Sequence, residues 1–380
     1  MGLFSFGRGL TTTGLDIGTN TFRVAQVKPT SGGAALLAYD TVPVPMGAVA
    51  EGEIVDIDAV AHSIQQLWRK AGISEKRVII GVANQKVVVR LIELPFMEKS
   101  ELAGAIQYQA QDFIPIPVED AILDFQIIGD YMSEQEEHLM EVLLVAAQRD
   151  MVSAHIQAVE QAGLRPQVVD VAAFAIVRSL LFRQESFLPA EDQEQEGEAL
   201  AIVHVSSGIT NIIVVEKGVP RFTRVSALAG NDLTQSVASG LNIPFDEAER
   251  MKVEVGLPGP EGDRGLPEGL PDDERERYEL AQDILEREVS RFISEVRRSL
   301  DYYLTQATQI RMIKKLILSG SGTMLRHMGE YMERGLQAQV EIAHPLDRLQ
   351  VSPKIDKALL ERDKLGCSVA VGLSMAGMET

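Results

Sequence analysis

Apolar residues along this chain alternate with polar ones in short runs, and longer stretches of helical spacing separate these runs. Residues 14–28 alternate around the polar turn DIGTNT and predict a β-hairpin, and a further strand is expected at 34–44. Residues 56–72 repeat apolar positions at helical spacing and predict a helix that ends at Gly72, before a buried strand at 77–83. Three strands, a helix and a strand in this order are typical of half of a mixed α/β domain.

The next segment has the pattern of a small unit of its own. A strand at 86–95 precedes an amphipathic helix at 98–114, and the stretch IPIP is expected to halt this helix because proline cannot continue the hydrogen-bond ladder. The remaining pattern predicts two strands, a helix and a strand, at 121–132, 138–148, 149–163 and 165–171. The βαββαβ order indicates a compact α/β unit inserted into the first domain.

The hairpin pattern then occurs a second time. The stretch AIVHVSSGITNIIVVEKG resembles the earlier GLDIGTNTFRVAQVKP, with Asp16 aligned to His204 and Gly18 aligned to Ser206. An internal duplication of this kind carries more information about the fold than an isolated motif does. It predicts two related halves, of which the second has lost the carboxylate of the first.

Helices and two polar stretches surround the second hairpin. Residues 172–182 predict a helix, and the acidic residues 183–198 predict a linker or an exposed loop. The Gly- and Pro-rich residues 257–273 carry too little apolar surface to order themselves, so we expect a flexible loop there. The other predicted elements are two helices over 229–256 broken at Gly240 and Pro244, a long helix over 274–308, a strand, Gly-rich turn and helix over 314–336, and a small-residue helix over 366–377.

Composition and charge narrow the classes of function. The formal net charge of −19 disfavours binding to nucleic acid and direct adhesion to an anionic bilayer, so a partner would have to hold the protein at a membrane. The single cysteine, Cys367, excludes a disulfide within the chain and fits a reducing cytoplasm. No apolar run approaches the roughly 20 residues of a spanning helix, which predicts a soluble protein. His62 and His155 occur in helical patterns and are expected at the surface or its boundary.

The two hairpin turns have the chemistry of an anion site. Turns of Gly, Ser, Thr and Asn present clustered backbone N–H groups that suit phosphate, and Asp16 at the edge of the first can hold Mg²⁺ or orient water. Two such turns facing each other would pinch a polyphosphate, and the SGSG turn at 319–322 fits a nucleotide near a helix start. Each turn by itself is more typical of a tight turn in a β-rich domain than of a ligand site. Their order along the chain favours the nucleotide cleft.

That order resembles the actin-like (ribonuclease H-like) ATPase fold, an α/β fold of two lobes with a cleft between them. Within this fold the chain resembles the branch that contains the cell-division protein FtsA and the PilM family of type IV pilus inner-membrane assembly proteins. The resemblance covers nearly the whole chain. It rests on GLDIGTNTFRVAQV, on VVVRLIELPFMEKSELAGAIQYQAQDFIPIPVEDAILDFQII, on GNDLTQSVASGLNIPFDEAERMK, and on LILSGSGTML with VEIAHPLDRL. The block with IPIPVED is the most specific to the PilM family.

The resemblance implies a division of the chain into lobes and subdomains. The expected boundaries are 1–86 for the core of the first lobe, 87–168 for an inserted, partner-binding α/β subdomain, 169–198 for a return helix and the acidic linker, 199–229 for the core of the second lobe, 230–313 for a helical subdomain with a Gly/Pro-rich loop at 256–273, and 314–380 for the rest of the second lobe.

The resemblance also implies ligands and partners. ATP with Mg²⁺ would bind between the lobes, with Asp16 as the metal ligand and the candidate catalytic residue. The first phosphate turn would comprise Asp16, Gly18, Thr19, Asn20, Thr21 and Arg23, the second His204, Ser206, Ser207, Gly208 and Thr210, and the nucleoside contacts Glu249, Lys252, Gly320, Ser321 and Gly322.

The partner implied by the resemblance is the cytoplasmic N-terminal peptide of PilN, a single-span membrane protein. It would dock in a groove between the first subdomain and the inserted unit, and other pilus-machine proteins would follow, with self-association left open. The stiff stretch Ile114, Pro115, Ile116 and Pro117 can offer main-chain hydrogen bonds to such a peptide. In the competing interpretation these isoleucines only seal the inserted unit against its parent.

The second turn departs from the family pattern, which has Asp where this chain has His204 and Gly where it has Ser206. A neutral imidazole is a poor ligand for Mg²⁺, a hard cation that prefers oxygen. His204 is then a structural residue in a protein without hydrolysis, a direct phosphate contact, or a sign that the second turn is aligned wrongly. We expect weak or absent ATP turnover in a cytoplasmic scaffold at the inner face of the inner membrane. The alternatives are an active ATPase of the same fold and an FtsA-like membrane anchor of cell division.

Overall fold

The computed structural model describes residues 11–181 except Gly32, residues 198–306 except 260–262 and 267–268, and residues 312–347, 349–376 and 378. The predicted acidic linker, 183–198, lies outside the described residues except for its last residue. Within the described residues, no helix is both long enough and apolar enough to cross a bilayer.

Strands and helices alternate along most of the described chain. The strands are β1 (Thr12–Ile17), β2 (Thr21–Thr30), β3 (Gly33–Pro43), β4 (Val49–Ala50), β5 (Glu53–Ile54), β6 (Arg77–Val82), β7 (Val87–Pro95), β8 (Ala121–Met132), β9 (His138–Gln148), β10 (Arg165–Val171), β11 (Glu198–Val205), β12 (Thr210–Glu216), β13 (Val219–Ser226), β14 (Met312–Ser319), β15 (Gln339–Ile342) and β16 (Leu349–Val351). The helices are α1 (Ile57–Ala71), α2 (Lys99–Ala110), α3 (Arg149–Gln161), α4 (Ala172–Leu181), α5 (Gly230–Leu241), α6 (Phe245–Val255), α7 (Asp272–Gln306), α8 (Met328–Leu336), α9 (Lys357–Arg362) and α10 (Ser368–Ser374), with 3₁₀ turns at Val118–Asp120 and Ser321–Met324.

Two large sheets form the centres of two lobes. The first sheet has the order β10-β6-β1-β2-β3-β16, and the second has the order β15-β14-β11-β12-β13-β7-β9-β8. Each sheet contains one of the two predicted hairpins, β1–β2 and β11–β12, and a parallel strand beside the first strand of the hairpin, β6 or β14. The duplication predicted from the sequence is therefore a duplication of this three-strand arrangement.

Both faces of each sheet are covered by helices. In β11, Ala201, Val203 and Val205 pack with helices α5–α8, whereas Ile202 points to the opposite face and packs with α4 and α10. In the first sheet, α1 and α3 cover the face opposite α4 and α10. Strands buried on both faces read as nearly continuous apolar runs, and this explains why RVIIGV and EALAIVHV lack polar alternation.

Local signals determine most of the helix ends. Asp56 caps α1 by accepting a hydrogen bond from the amide of Ala59, and Gly72 ends the helix in the left-handed conformation at φ 64°. Helix α2 ends at Ala110, which is earlier than the predicted end at residue 114. Pro115 disfavours helical dihedrals at the residue before it, and the chain leaves the helix one turn ahead of that restriction.

Two expected boundaries differ from the packing. Residues 149–168 were assigned to the inserted unit, but α3 packs on α1 and β10 pairs with β6 in the first sheet. The parallel pairing of β6 and β10 requires a crossover helix, and α3 provides it. The inserted unit is therefore limited to β7, α2, β8 and β9, an insertion between β6 and α3.

The last part of the chain returns to the first lobe, although residues 314–380 were assigned to the second. Strand β16 pairs with β3, and α10 packs against α4 and β1. Helix α10 is buried all round, with Val369 and Leu373 in one core and Ala370 and Val371 in another. Such a helix is stable only where apolar surface covers both sides, and it finds that place between the two sheets.

The Gly/Pro-rich stretch buries more apolar surface than expected. Leu257 is fully buried in the core of the helical subdomain, and Leu266 packs against the same core. The side-chain amide of Gln282 donates to the carbonyl of Arg264 at 2.7 Å, which fixes this stretch to α7. The expectation that the loop cannot order itself is therefore wrong for residues 257–259 and 263–266.

Candidate functional site

The turns of the two hairpins face each other between the lobes. In the ladders, Asp16 pairs with Arg23 and His204 pairs with Asn211, so Asp16 and His204 occupy equivalent positions. The cavity between the turns, which we call the interlobe cleft, has a volume of about 50 Å³. Ten of the predicted nucleotide-site residues line it: Asp16, Gly18, Thr19, Asn20, Thr21, Arg23, His204, Ser206, Ser207 and Ser321.

The interlobe cleft is closed by direct contact between the turns. Thr19 packs against Gly208, where an added Cβ would overlap the threonine hydroxyl. Asn20 and Asn231 form a reciprocal pair of side-chain amide hydrogen bonds, at 2.8 Å and 3.0 Å. Residue Asn231 belongs to α5 of the second lobe, so this pair connects the two lobes across the mouth of the cleft.

Arg23 is held by a buried ion-pair network at the floor of the cleft. Its Nε and Nη2 donate to the two carboxylate oxygens of Asp363 at 2.7 Å and 2.9 Å, a bidentate arrangement. The hydroxyl of Tyr39 also donates to Asp363. Hydrogen bonding to Asp363 keeps the pKa of Arg23 above its usual range despite the burial. Arg23 was predicted as a phosphate contact, but its guanidinium already has a carboxylate partner.

Asp16 and His204 are both shifted by burial. Desolvation raises the pKa of Asp16 to about 6, while Arg23, with Nη1 3.7 Å from a carboxylate oxygen, opposes the shift. Desolvation, with a smaller contribution from Arg23, lowers the pKa of His204 to about 3. His204 is therefore neutral at pH 7, and its Nδ1 lies 3.1 Å from the hydroxyl of Ser319. This geometry favours the structural interpretation of His204 among the three considered from the sequence.

The backbone around the second turn is already hydrogen-bonded. The amides of Gly230 and Asn231, at the start of α5, donate to the carbonyls of Ser206 and Ser207 at 3.0 Å and 2.8 Å. The hydroxyl of Thr210 donates to the carbonyl of Leu228 and points away from the cleft lining. A helix N-terminus is a usual place for phosphate, but here the second turn itself occupies that place.

Glu249 and Lys252 lie outside the cleft lining. The ammonium of Lys252 donates to Glu249 at 2.7 Å, to the hydroxyl of Thr234 at 2.8 Å and to the carbonyl of Gly230 at 3.2 Å. This network ties α6 to the first turn of α5. In this conformation the two side chains position α5 and do not contribute to the lining of the interlobe cleft.

The third turn closes the far end of the cleft. Gly320 has φ of 90°, a conformation that favours glycine, and its amide donates to the carbonyl of Leu365 at 3.0 Å. Gly320 and Gly322 do not line the cleft, because both pack directly on Val205. Ser321 alone of this turn reaches the lining.

Several residues of the cleft were not predicted from the sequence. Asn231, Asn211 and Asp363 contact or border the cleft, and His155, expected near the surface, is buried and lines it. Asn231 lies at the start of α5, the helix that follows β13, and a polar residue at a helix start is a signal that the sequence offers. Asp363 has no local signal, because its partner Arg23 lies 340 positions away along the chain.

The closed cleft is too small for a nucleotide. Ligand pockets usually enclose roughly 300–1,000 Å³, and about 50 Å³ holds a few water molecules. The donor set also fits Mg²⁺ poorly, since Asp16 lies beside a guanidinium and His204 supplies nitrogen where oxygen is preferred. Within the described residues, no group of three His, Cys, Asp or Glu side chains is placed to hold a metal ion.

The predicted partner segment is only partly exposed. Ile114 is buried in the core of the inserted unit, and Ile116 packs on the same core. Pro115 and Pro117 are exposed. Both isoleucines therefore pack within the inserted unit and not between it and its parent, while the prolines present the surface of the segment.

Two sheets with a duplicated hairpin, separated by a closed cleft and flanked by an inserted unit, define this chain as a protein of the actin-like ATPase fold. The family model described as type IV pilus assembly protein PilM matches residues 14–265, and the chain belongs to that family. A chain of the solved PilM-PilN type IV pilus biogenesis complex is 25% identical, with a TM-score of 0.79 and coverage of 98% of this chain and 99% of that chain.

Other matches indicate the wider relationship. The cell division protein FtsA model matches residues 201–359, and FtsA of Bacillus subtilis (strain 168) is 24% identical over 263 residues, 64% of this chain and 57% of that protein. FtsA of Escherichia coli (strain K12) is 26% identical over 217 residues, 54% of this chain and 49% of that protein. These matches span less than two thirds of the curated relatives. The ethanolamine utilization protein EutJ from Carboxydothermus hydrogenoformans is 14% identical with a TM-score of 0.51, over 96% of this chain and 89% of that chain, and shows the fold alone.

Proposed function

We propose that this chain is a cytoplasmic, actin-like scaffold of a type IV pilus assembly machine that docks on the N-terminal peptide of a PilN-like single-span membrane protein. Family membership supports the machine. The match to a chain of the PilM-PilN complex along the whole chain, at a TM-score of 0.79, is the observation that carries the proposal. Docking of this kind holds an acidic protein at the inner face of the inner membrane without insertion of its own.

The inserted unit is the proposed docking region. Six large apolar side chains are exposed in the described part of the inserted unit: Phe96, Tyr108, Phe113, Ile122, Tyr131 and Met132. Exposed apolar side chains are common at interaction sites. Pro115 and Pro117 restrict the backbone of the exposed bend that follows Phe113, and such a rigid surface suits the docking of a peptide beside it.

In this proposal the interlobe cleft determines how the two lobes are arranged and hydrolyses little or no ATP. The small residues of the facing turns support nucleotide binding in an opened cleft. The Asn20–Asn231 pair favours the closed form, so nucleotide binding has to work against it. Neutral His204 in place of a carboxylate supports weak or absent hydrolysis.

A binding titration with the first dozen or so residues of the PilN-like partner tests the docking. We expect binding to the full-length protein and a clear loss of affinity in Ile116→Asp, with Val253→Asp, an exposed site in the second lobe, as the matched control. Unchanged affinity in Ile116→Asp removes this segment from the site. Absence of binding to the unmodified protein, with and without ATP and Mg²⁺, refutes the proposed partner.

Two alternative functions, an active ATPase and an anchor of cell division, can each be tested. A steady-state ATPase rate of the pure protein that disappears in Asp16→Ala would establish that the chain is an active ATPase. The FtsA matches favour a role as a division anchor, which requires an amphipathic membrane helix. Helix α10 does not supply one, because each of its residues is buried. Localisation of the fluorescently tagged chain at division sites would favour this second function.

A further inference from the structure

A groove separates the inserted unit from the second lobe. Strands β13 and β7 meet in antiparallel pairing at one position, Phe222 with Arg90. If the ladder continued, Thr223–Ser226 would face residues 86–89, but the strands diverge there around a cavity of about 630 Å³. We call this cavity the basic groove, and it is lined by Gln85, Val87–Arg90, Pro115, Phe222–Leu228, Arg291, Glu295 and Tyr302.

The basic groove presents two unused strand edges. Strand β13 pairs with β12 along its other edge, and β7 pairs with β9 along its other edge. Beyond Arg90 neither strand has a described ladder partner on the side that faces the groove. Unpaired edges of this kind are templates for an added strand. A single extended segment lying between β13 and β7 can pair with either edge.

The charge of the basic groove is opposite to that of the whole chain. Its lining contains three arginines, Arg90, Arg224 and Arg291, and one carboxylate, Glu295. Glu295 is engaged by Arg224 at 2.9 Å and by Arg298 at 2.7 Å, and Arg291 lies 3.6 Å from Glu288, outside the lining. Arg90 is exposed and has no ion-pair partner within 4.0 Å in the described part of the chain. A positive groove on a protein of net charge −19 selects for acidic ligands, since other regions of the surface repel them.

Aromatic and aliphatic side chains supply the apolar part of the lining. Tyr302 is 45% exposed, and its ring centroid lies 6.3 Å from that of Phe222. Val87 on one wall and Val225 on the other are half-buried, and Pro115 is exposed at the rim. A strand that alternates acidic and apolar side chains can direct the first toward the arginines and the second toward this lining.

We propose that the basic groove binds an extended acidic segment of a partner protein, which adds a strand to β13. The occupant differs from the docking peptide considered above, because the groove lies against the second lobe and selects by negative charge. The cavity is within the range of ligand pockets, roughly 300–1,000 Å³, so it admits a strand without a large opening. The contact site therefore extends the set of partners of this chain to an acidic protein segment.

The test uses full-length protein and a fluorescent nonapeptide of alternating Val and Asp, compared with Val-Asn and Val-Lys versions of the same length. We expect the acidic peptide to bind about tenfold or more tightly than the neutral one, a difference of about 1.4 kcal/mol. The basic peptide should not bind, and added salt should weaken the acidic one. Methylation of alternate backbone nitrogens of the acidic peptide should abolish binding, because it removes the donors of a ladder.

Variants and hydrogen exchange locate the site. Arg90→Glu and Arg291→Glu should each weaken the acidic peptide about fivefold or more, about 1 kcal/mol, while Arg69→Glu on the surface of α1 should not. Bound peptide should slow amide exchange within Thr223–Ser226 and Val87–Val89. Equal affinity for acidic and neutral peptides, no binding of either, protection elsewhere in the chain, or an unchanged affinity in Arg90→Glu overturns the proposal.

Discussion

The reciprocal amide pair between Asn20 and Asn231 sets a cost on opening the interlobe cleft, and Asn231→Ala removes it. The pair comprises two hydrogen bonds, at 2.8 Å and 3.0 Å, in an exposed position. A net contribution of about 0.5–1 kcal/mol for each exposed bond amounts to about 1–2 kcal/mol for the pair. Losing this contribution shifts the equilibrium between closed and open cleft about 5- to 30-fold toward the open form.

Nucleotide affinity measures this shift. The closed cleft of about 50 Å³ excludes a nucleotide, so binding requires the open form and its apparent affinity rises with the open fraction. We expect Asn231→Ala to bind a fluorescent ATP analogue about 5- to 30-fold more tightly than the unmodified protein. Asn231 belongs to α5 and not to the first turn, so truncating its side chain leaves the predicted phosphate contacts of the first turn in place.

A matched variant separates this effect from a general loosening of α5. Gln235 is an exposed amide one turn further along α5, bonded to Ser239 within the helix. Gln235→Ala should leave the affinity unchanged. An Asn231→Ala protein with unchanged or weaker affinity would refute the reasoning, and so would an equal gain in Gln235→Ala.

The other predictions concern the buried charges of the cleft and can be checked by urea denaturation. Asp363→Ala strands the Arg23 guanidinium and should lower the free energy of unfolding by about 3–5 kcal/mol, whereas the exposed Glu361→Ala should change it little. The pKa of Asp16 is raised from 3.8 to about 6, so stability falls as pH rises through this window. Asp16→Asn should flatten that fall and add up to roughly 3 kcal/mol at pH 7. The pKa of His204 is lowered from 6.5 to about 3, so stability falls as pH drops below 6.5, and His204→Gln should reduce that loss. Unaltered pH profiles in the last two variants would contradict the assigned shifts.

Local patterns predicted much of the fold. The hairpins β1–β2 and β11–β12 were predicted because alternating apolar residues around Gly-, Ser- and Asn-containing turns determine a hairpin within some twenty residues. Helix α1 was predicted with its end at Gly72, since this signal lies next to the helix. The equivalence of Asp16 and His204 followed from the same local alignment.

Contacts between distant parts of the chain were not predictable in this way. The return of α10 to the first lobe, the pairing of β16 with β3 and the Arg23–Asp363 pair join residues more than 300 positions apart. Their composition carries a general signal, such as the all-round apolar surface of α10, but no indication of which surface will cover it. The same limit applies to Lys252. The family resemblance implied that it contacts the nucleoside, whereas in the structure its ammonium donates to Glu249 and Thr234.

The basic groove and the interlobe cleft share one short segment, and this predicts that their ligands are coupled. Ser226, Ala227 and Leu228 line the groove, and three residues later Asn231 holds the cleft closed. The carbonyl of Leu228 accepts from Thr210, so this segment is also bonded to the start of β12, next to the second turn. Binding of the acidic peptide should therefore change the affinity for the ATP analogue, and the analogue should change the peptide affinity by the same factor, about fivefold or more. In Asn231→Ala that factor should approach one, because the contact that relates the two sites has been removed. If neither ligand changes the affinity for the other in the unmodified protein, the segment 226–231 does not couple the two sites. The cleft would then bind nucleotide independently of the groove.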